Sequence, residues 1–185
     1  MDDLPAIQRL KRGDIGGLEE LVARYQTRAI ETAFLITQDP SLAEDVVQDV
    51  FVKLFRSIRH YDESRPFEPY LMKSVVHAAL DGVEREAKRV HPVPDDDTGG
   101  LEALISQAAS VEDEVEFDQL RRAIETALVA LPARQRAAIV QRYYLGMSEK
   151  EMAEALEAPR GTIKWLLNAA RTRLRGLLGS ERSAE

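Results

Sequence analysis

Four cations near the end of the chain, Arg160, Lys164, Arg171 and Arg175, recur at spacings that line one flank of a helix. Asn168 and Trp165 stand among them. Guanidinium and ammonium groups bind phosphate, a carboxamide bonds a base edge, and an indole packs on a sugar or a thymine methyl. Between Arg160 and Arg182 there are six basic residues, and Glu181 is the only acidic one. At the start of such a helix, free backbone NH groups add to the attraction for a phosphate. Basic C-terminal helices also occur in purely structural bundles, where they complement the helix dipole. Spacing and charge therefore leave DNA binding and a structural role both open.

A second face, Asp45, Gln48, Asp49 and Val52, mixes carboxylates with an apolar residue and suits a basic protein partner. An ordinary solvated helix face has the same composition. Enzymatic chemistry finds little support. There is no Cys, and His60, His77 and His91 form no HExxH arrangement. No glycine-rich phosphate loop with its Lys and no nucleophile elbow is present. Asp95, Asp96 and Asp97 are consecutive in a Pro/Gly tract, with no fixed geometry for a metal. We therefore expect no enzyme activity, no cofactor and no metal.

The elements that position these groups are helical almost throughout. The spacing predicts helices over residues 4–12 and 18–36, interrupted by Gly13, Gly16 and Gly17. Pro40, with Ser41 and Glu44 as a capping box, opens the next helix, whose buried stripe is Val47, Phe51, Leu54 and Ile58. Pro66 and Pro69 interrupt residues 59–69, and Pro69 suits the first turn of the helix that ends in Arg85, Lys88 and Arg89. Further on, Pro132 starts a helix ending near Tyr144, with Gly146 as its stop. Ser148 and Glu151 form a second capping box, with Met152 and Leu156 facing inward. The last helix runs from about Gly161, with an inner stripe of Ile163, Leu167, Ala170, Leu174 and Leu178.

Charge divides the chain more sharply than hydropathy. Residues 1–90 hold 13 basic and 16 acidic residues, residues 91–118 hold nine acidic and no basic ones, and residues 119–185 hold 12 basic and seven acidic. The formal net charge of −7 is thus dominated by one short tract, and the C-terminal part is positive. The acidic start MDDLPAIQRL lacks the features of a signal peptide, and no apolar run approaches a membrane span, so a cytoplasmic protein is expected. The reading is an all-α chain: a domain over 1–90, an acidic linker over 91–117, and a helix-turn-helix domain over 118–185.

The segments DPSLAEDVVQDVFVKLFRSIRHYDESRPFEPYLMKSVVHAALD and LPARQRAAIVQRYYLGMSEKEMAEALEAPRGTIKWLLNAARTRLRGLL resemble the second and fourth conserved regions of bacterial sigma factors of the extracytoplasmic-function group. They stand in family order with the acidic tract between them. The resemblance implies a transcription initiation factor that binds core RNA polymerase, recognises −35 and −10 promoter elements and promotes strand opening. It implies docking of Asp45, Gln48, Asp49 and Val52 on the clamp helices of the largest polymerase subunit, with the flap of the second largest as a further contact. It places −10 DNA at His60, Phe67, Tyr70, His77, Arg85, Lys88 and Arg89, with Phe67 and Tyr70 supporting the base-capturing loop or stacking there. It places −35 DNA at Arg160, Thr162, Lys164, Trp165, Asn168, Arg171 and Arg175. A cognate anti-sigma factor is a further implied partner, and direct membrane insertion is not.

Some positions depart from the family pattern. Tyr70 stands where Trp is frequent and His77 where Asn is. Trp165, Leu166 and Ala169 stand where small polar residues or Arg are common, so the last helix has fewer base readers. Two other readings remain: a sigma-like decoy that binds an anti-sigma protein, and a helix-turn-helix repressor.

Overall fold

The computed structural model describes residues 3–90 and 127–181, with side chains over 3–88 and 127–176. The predicted linker over 91–117, the start of the second domain at 118 and the side chains of Arg89 and Leu178 lie outside the described residues. All regular structure among the described residues is helical. They fall into two compact units, one within Met1–Arg89 and one within Val90–Glu185.

The first unit contains α1 (Leu4–Lys11), α2 (Gly16–Thr37), α3 (Pro40–Ser57), a 3₁₀ turn (Ile58–His60) and α4 (Phe67–Val90). Helix α2 starts two residues earlier than periodicity predicts, because Gly16 and Gly17 belong to its first turn. Gly17 is where α1 and α2 touch: a Cβ there would lie 2.3 Å from the Ala6 carbonyl oxygen and 2.8 Å from the Leu10 nitrogen. Only a residue without a side chain permits that approach. Helix α2 then packs along α3. Its inner row, Leu21, Ala29, Ala33 and Ile36, is completely buried, and the two alanines let the backbones come close.

The predicted stripe of α3 is the core face: Val47, Phe51, Leu54 and Ile58 are all buried. Its start differs from the prediction. The N-cap is Asp39, whose side chain accepts from the Leu42 NH at 3.1 Å, and Ser41 with Glu44 makes no capping box. Pro40 takes the first helical position, where its fixed φ and missing NH are harmless, so the residue before it becomes the cap. The Pro66–Pro69 interruption is present, with Pro69 in the first turn of α4. Leu71, Met72, Val75, Val76 and Ala79 of α4 close the core.

The second unit comprises the end of a helix at Ala127–Val129, α5 (Ala133–Ile139), a π turn (Val140–Tyr144), α6 (Glu149–Ala155) and α7 (Arg160–Glu181). Pro132 is the N-cap of α5 and lies just outside it. The Arg136 guanidinium donates to the carbonyls of Leu128 at 3.2 Å and Leu131 at 3.3 Å, closing the end of the preceding helix. Burial pushes the pKa of this Arg below its ordinary value. Gly146, at φ +67°, provides the predicted stop after the π turn.

The Ser148–Glu151 capping box forms in both directions, and Met152 is fully buried. Leu156 is only half-buried, and Ala155 takes the inward position. A four-residue connection, Leu156 to Pro159, with Glu157 in the left-handed region at φ +48°, leads into α7. That helix begins at Arg160, one residue before the predicted Gly161. Its stripe of Ile163, Leu167, Ala170 and Leu174 is buried, and Leu166 and Ala169 widen it.

Candidate functional site

The polar groups singled out in the sequence lie on three surfaces. On α3, Asp45, Gln48, Asp49 and Val52 are all exposed, one helical step from the core stripe. Sequence reading missed two neighbours: Phe55 (44% exposed) and Ile15 (51%) join Val52 (42%) along a shallow groove between α2 and α3. Phe55 is three residues from Val52 and out of register with the stripe ending Leu54, Ile58. That offset was the available signal. Three large apolar side chains in the open beside two carboxylates form a surface suited to a protein partner.

The second surface is the loop from Tyr61 to Pro66 and the aromatic cluster below it. Asp62 organises the loop: its Oδ1 accepts from the Ser64 NH at 3.0 Å and the Ser64 hydroxyl at 2.7 Å. These bonds, with Arg65 nearby, hold the Asp62 carboxyl below its usual range. The Tyr61 hydroxyl donates to the Arg65 carbonyl and closes the loop. Phe67 is buried (3% exposed), with its ring 5.6 Å from Tyr25, 5.7 Å from Tyr61 and 6.3 Å from Tyr70 between centroids. The Phe67 ring is enclosed by these neighbours and leaves almost no surface open. Tyr70 is half-buried and packs against Tyr61 at 4.9 Å.

Tyr25 underlies this cluster, and its hydroxyl donates to Asp3 at 2.7 Å. Burial, then that carboxylate, pushes the Tyr25 phenol far above its ordinary pKa. Asp3 also pairs with Arg24. None of the cluster's partners on α1 and α2 was legible beforehand. His60 is exposed beside the loop and His77 is half-buried further along α4. Arg85 and Lys88 are exposed on the last turns of α4.

The third surface is the outer side of α7. Arg160, Thr162, Lys164, Trp165, Asn168 and Arg175 are exposed, and Trp165 keeps 45% of its surface open. Arg171 is half-buried and donates to the Tyr143 hydroxyl through Nε at 3.2 Å and Nη2 at 3.0 Å. Tyr143 belongs to the π turn, an extra-residue register that changes which way the following side chains point. The stripe of 160, 164, 168, 171 and 175 turns away from the Ile163–Leu174 core stripe.

Among the described residues, no group of three or more His, Asp or Glu is placed to hold a metal. No described helix is long and apolar enough to cross a membrane.

Residues 21–89 match sigma-70 region 2 and residues 121–174 match sigma-70 region 4, together about two thirds of the chain. The ECF RNA polymerase sigma factor SigW of Bacillus subtilis is 25% identical over 175 residues, covering 91% of this chain and 92% of its own. The chain belongs to the extracytoplasmic-function sigma factor family. The sigma-E factor of Haemophilus influenzae is similar at 27% identity over 180 residues, covering 92% of each chain. Two solved structures share the fold of this sigma factor, each with a TM-score of 0.63. One is CnrH in complex with the cytosolic domain of CnrY, at 21% identity over 96% of this chain and 97% of that one. The other is RpoE of Bartonella quintana in complex with the anti-sigma factor NepR, at 19% identity over 87% of this chain and 96% of that one. The general role of this sigma factor is that of its family: binding core RNA polymerase and recognising promoters.

Proposed function

We propose that the unit within residues 1–90 docks on the clamp helices of the largest polymerase subunit through α3. Asp45, Gln48 and Asp49 supply charge complementarity, and Val52, Phe55 and Ile15 supply apolar contact. The joint exposure of the α3 side chains on one helix face, with Ile15 across the groove beside them, carries this reading. The same unit takes −10 DNA at the loop, with His60 and Tyr70 at its edge and Phe67 and Tyr61 as its floor. An unpaired base captured there offsets the cost of unstacking, roughly a few kcal/mol. Arg85, Lys88 and Arg89 contact the promoter backbone, and His77, about two turns earlier on α4, contributes to the −10 contact.

In the unit within residues 118–185, α6, its connection and α7 act as a helix-turn-helix, with α7 in the major groove at −35. Arg160, Lys164, Arg171 and Arg175 neutralise phosphates, and Tyr143 holds the Arg171 guanidinium in place. Thr162, Trp165 and Asn168 are the base-side contacts. Leu166 and Ala169 are core residues and read nothing, so few side chains distinguish bases, and −35 recognition rests mainly on register and phosphate contact. The polymerase flap is the second docking partner. The complex of the Bartonella RpoE with the anti-sigma factor NepR supports an anti-sigma factor as a regulatory partner.

The test is transcription from a host promoter library with purified core polymerase. Promoter-specific RNA synthesis is the expected result, and its absence across the library refutes the reading. A chain that binds an anti-sigma protein yet leaves core inactive is a decoy, and one that binds duplex tightly without core is a repressor. Asp49→Lys should weaken core association while leaving the helical circular dichroism unchanged.

A further inference from the structure

Helix α1 precedes the matched region 2, which begins at residue 21, yet it grips the loop. Lys11 Nζ donates to the Tyr61 carbonyl and to Glu63 Oε1, each at 2.7 Å. Gln8 Nε2 donates to Glu63 Oε2 at 3.1 Å, so both carboxylate oxygens of Glu63 are held from one helix. The Lys11 ammonium also lies 5.9 Å from the centroid of the Tyr61 ring. Lys11 and Glu63 side chains are 21% and 33% exposed, so this pair is better shielded than an open surface bridge. The bonds from Lys11 and Gln8 hold the Glu63 carboxyl below its usual range.

The two ties complement the loop's own bracing. Asp62, Ser64, Arg65 and the Tyr61 hydroxyl give the loop its shape, but those bonds are all internal to it. Internal bonds set conformation but not position. The Tyr61 ring, packed on Phe67 and Tyr70, seats the start of the loop; the polar tie beyond it runs to α1, which is rigidly seated: Ala6, Ile7 and Leu10 are buried and Gly17 locks it to α2. The bonds from Lys11 and Gln8 span 50 to 55 residues of chain and cross from α1 to the loop.

We propose that Lys11 and Gln8 are positioning residues: by holding Tyr61 and Glu63 they set the height and angle of the 61–66 loop over the aromatic floor, and with it the base selectivity at −10. This rests on the reading of that loop as the −10 contact. A loop that loses its anchor keeps its charge and overall affinity for single strands but fits cognate and non-cognate bases alike, because fit depends on sub-ångström placement.

The experiment uses holoenzyme reconstituted from the full chain and core polymerase. It measures binding to non-template single strands that carry the −10 sequence recovered from the promoter library, and to versions changed at each −10 base. Lys11→Met should reduce the ratio of cognate to mismatched affinity by about two- to tenfold, the lower part of the range for one lost coupling interaction. Core association should stay at the parent level, and Lys11→Arg, which keeps charge and donors, should restore most of the ratio. Glu63→Gln, an exposed change that does not threaten folding, should lose part of the ratio even if Lys11→Met proves unstable. Unchanged discrimination in Lys11→Met and Glu63→Gln, while His60→Ala or Asp62→Ala abolishes it, overturns the positioning role and leaves the loop reading standing. Unchanged discrimination in all four variants overturns the loop reading, and the positioning role with it.

Discussion

Trp165 and Leu166 are neighbours in the chain with opposite surroundings: one is 45% exposed on the outer side of α7, the other 5% exposed in its core. Both break the family pattern in the sequence, and nothing local separates them. Successive residues on a helix differ by about 100° in direction, so a stripe boundary passes between them only once the width of the packed face is known. Leu166→Ala should cost about 2–5 kcal/mol of stability. Trp165→Ala should stay within about 0.5 kcal/mol of the parent and weaken binding to promoter duplex. Chemical denaturation beside a duplex titration separates the two outcomes, and a stability loss in Trp165→Ala would remove Trp165 from the contact surface. Phe67 teaches the same lesson: its place at a loop-to-helix junction leaves supporting the loop and stacking both open, and only the packing shows its ring enclosed by Tyr25, Tyr61 and Tyr70.

At the scale of elements, the Ser-x-x-Glu pattern occurs at Ser41–Glu44 and at Ser148–Glu151, and only the second forms a box. The difference is Pro40. Proline prefers the first helical position, which moves the cap to Asp39 and puts Ser41 inside the helix. At α6 the residue after Ser148 is Glu149, which imposes no such shift. The Glu151 carboxylate accepts from the Ser148 hydroxyl at 2.6 Å and the Ser148 NH at 2.7 Å, and these bonds hold it below its usual range. A carboxyl lowered on folding stabilises the fold fully above its unfolded value of ~4.3, and the gain is lost as pH falls through the lower folded value. The stability difference between the parent and Glu151→Gln should therefore be constant near neutrality and shrink below about pH 4. Denaturant midpoints at several pH values check this; a difference that grows in acid would mean the box does not contribute as drawn.

For the whole molecule, a net charge of −7 conceals a basic C-terminal part, and position decides which charge a partner meets. Promoter binding by the holoenzyme should weaken with salt. Arg160→Ala and Lys164→Ala should each lower the magnitude of the logarithmic salt slope by about one, whereas Glu154→Ala, on α6, should leave it unchanged. Salt titrations of promoter affinity measure this, and equal slopes in parent and variants would remove those cations from the phosphate contacts.

The helical class, the core stripes of α3 and α7, the Ser148–Glu151 cap and the membership of the sigma family were legible in the chain itself. Each depends on residues within a few positions of one another, or on order along the chain, and helical periodicity is a local property. The tie from α1 to the loop, the burial of Phe67 and Leu166, the exposure of Ile15, and the seating of Arg171 on Tyr143 came only from tertiary structure. Those pairs lie up to 55 residues apart, and no local rule states which side chain will meet which across that distance. Packing decides it, because a close-packed interior admits few arrangements of large side chains and leaves the remainder outside for partners.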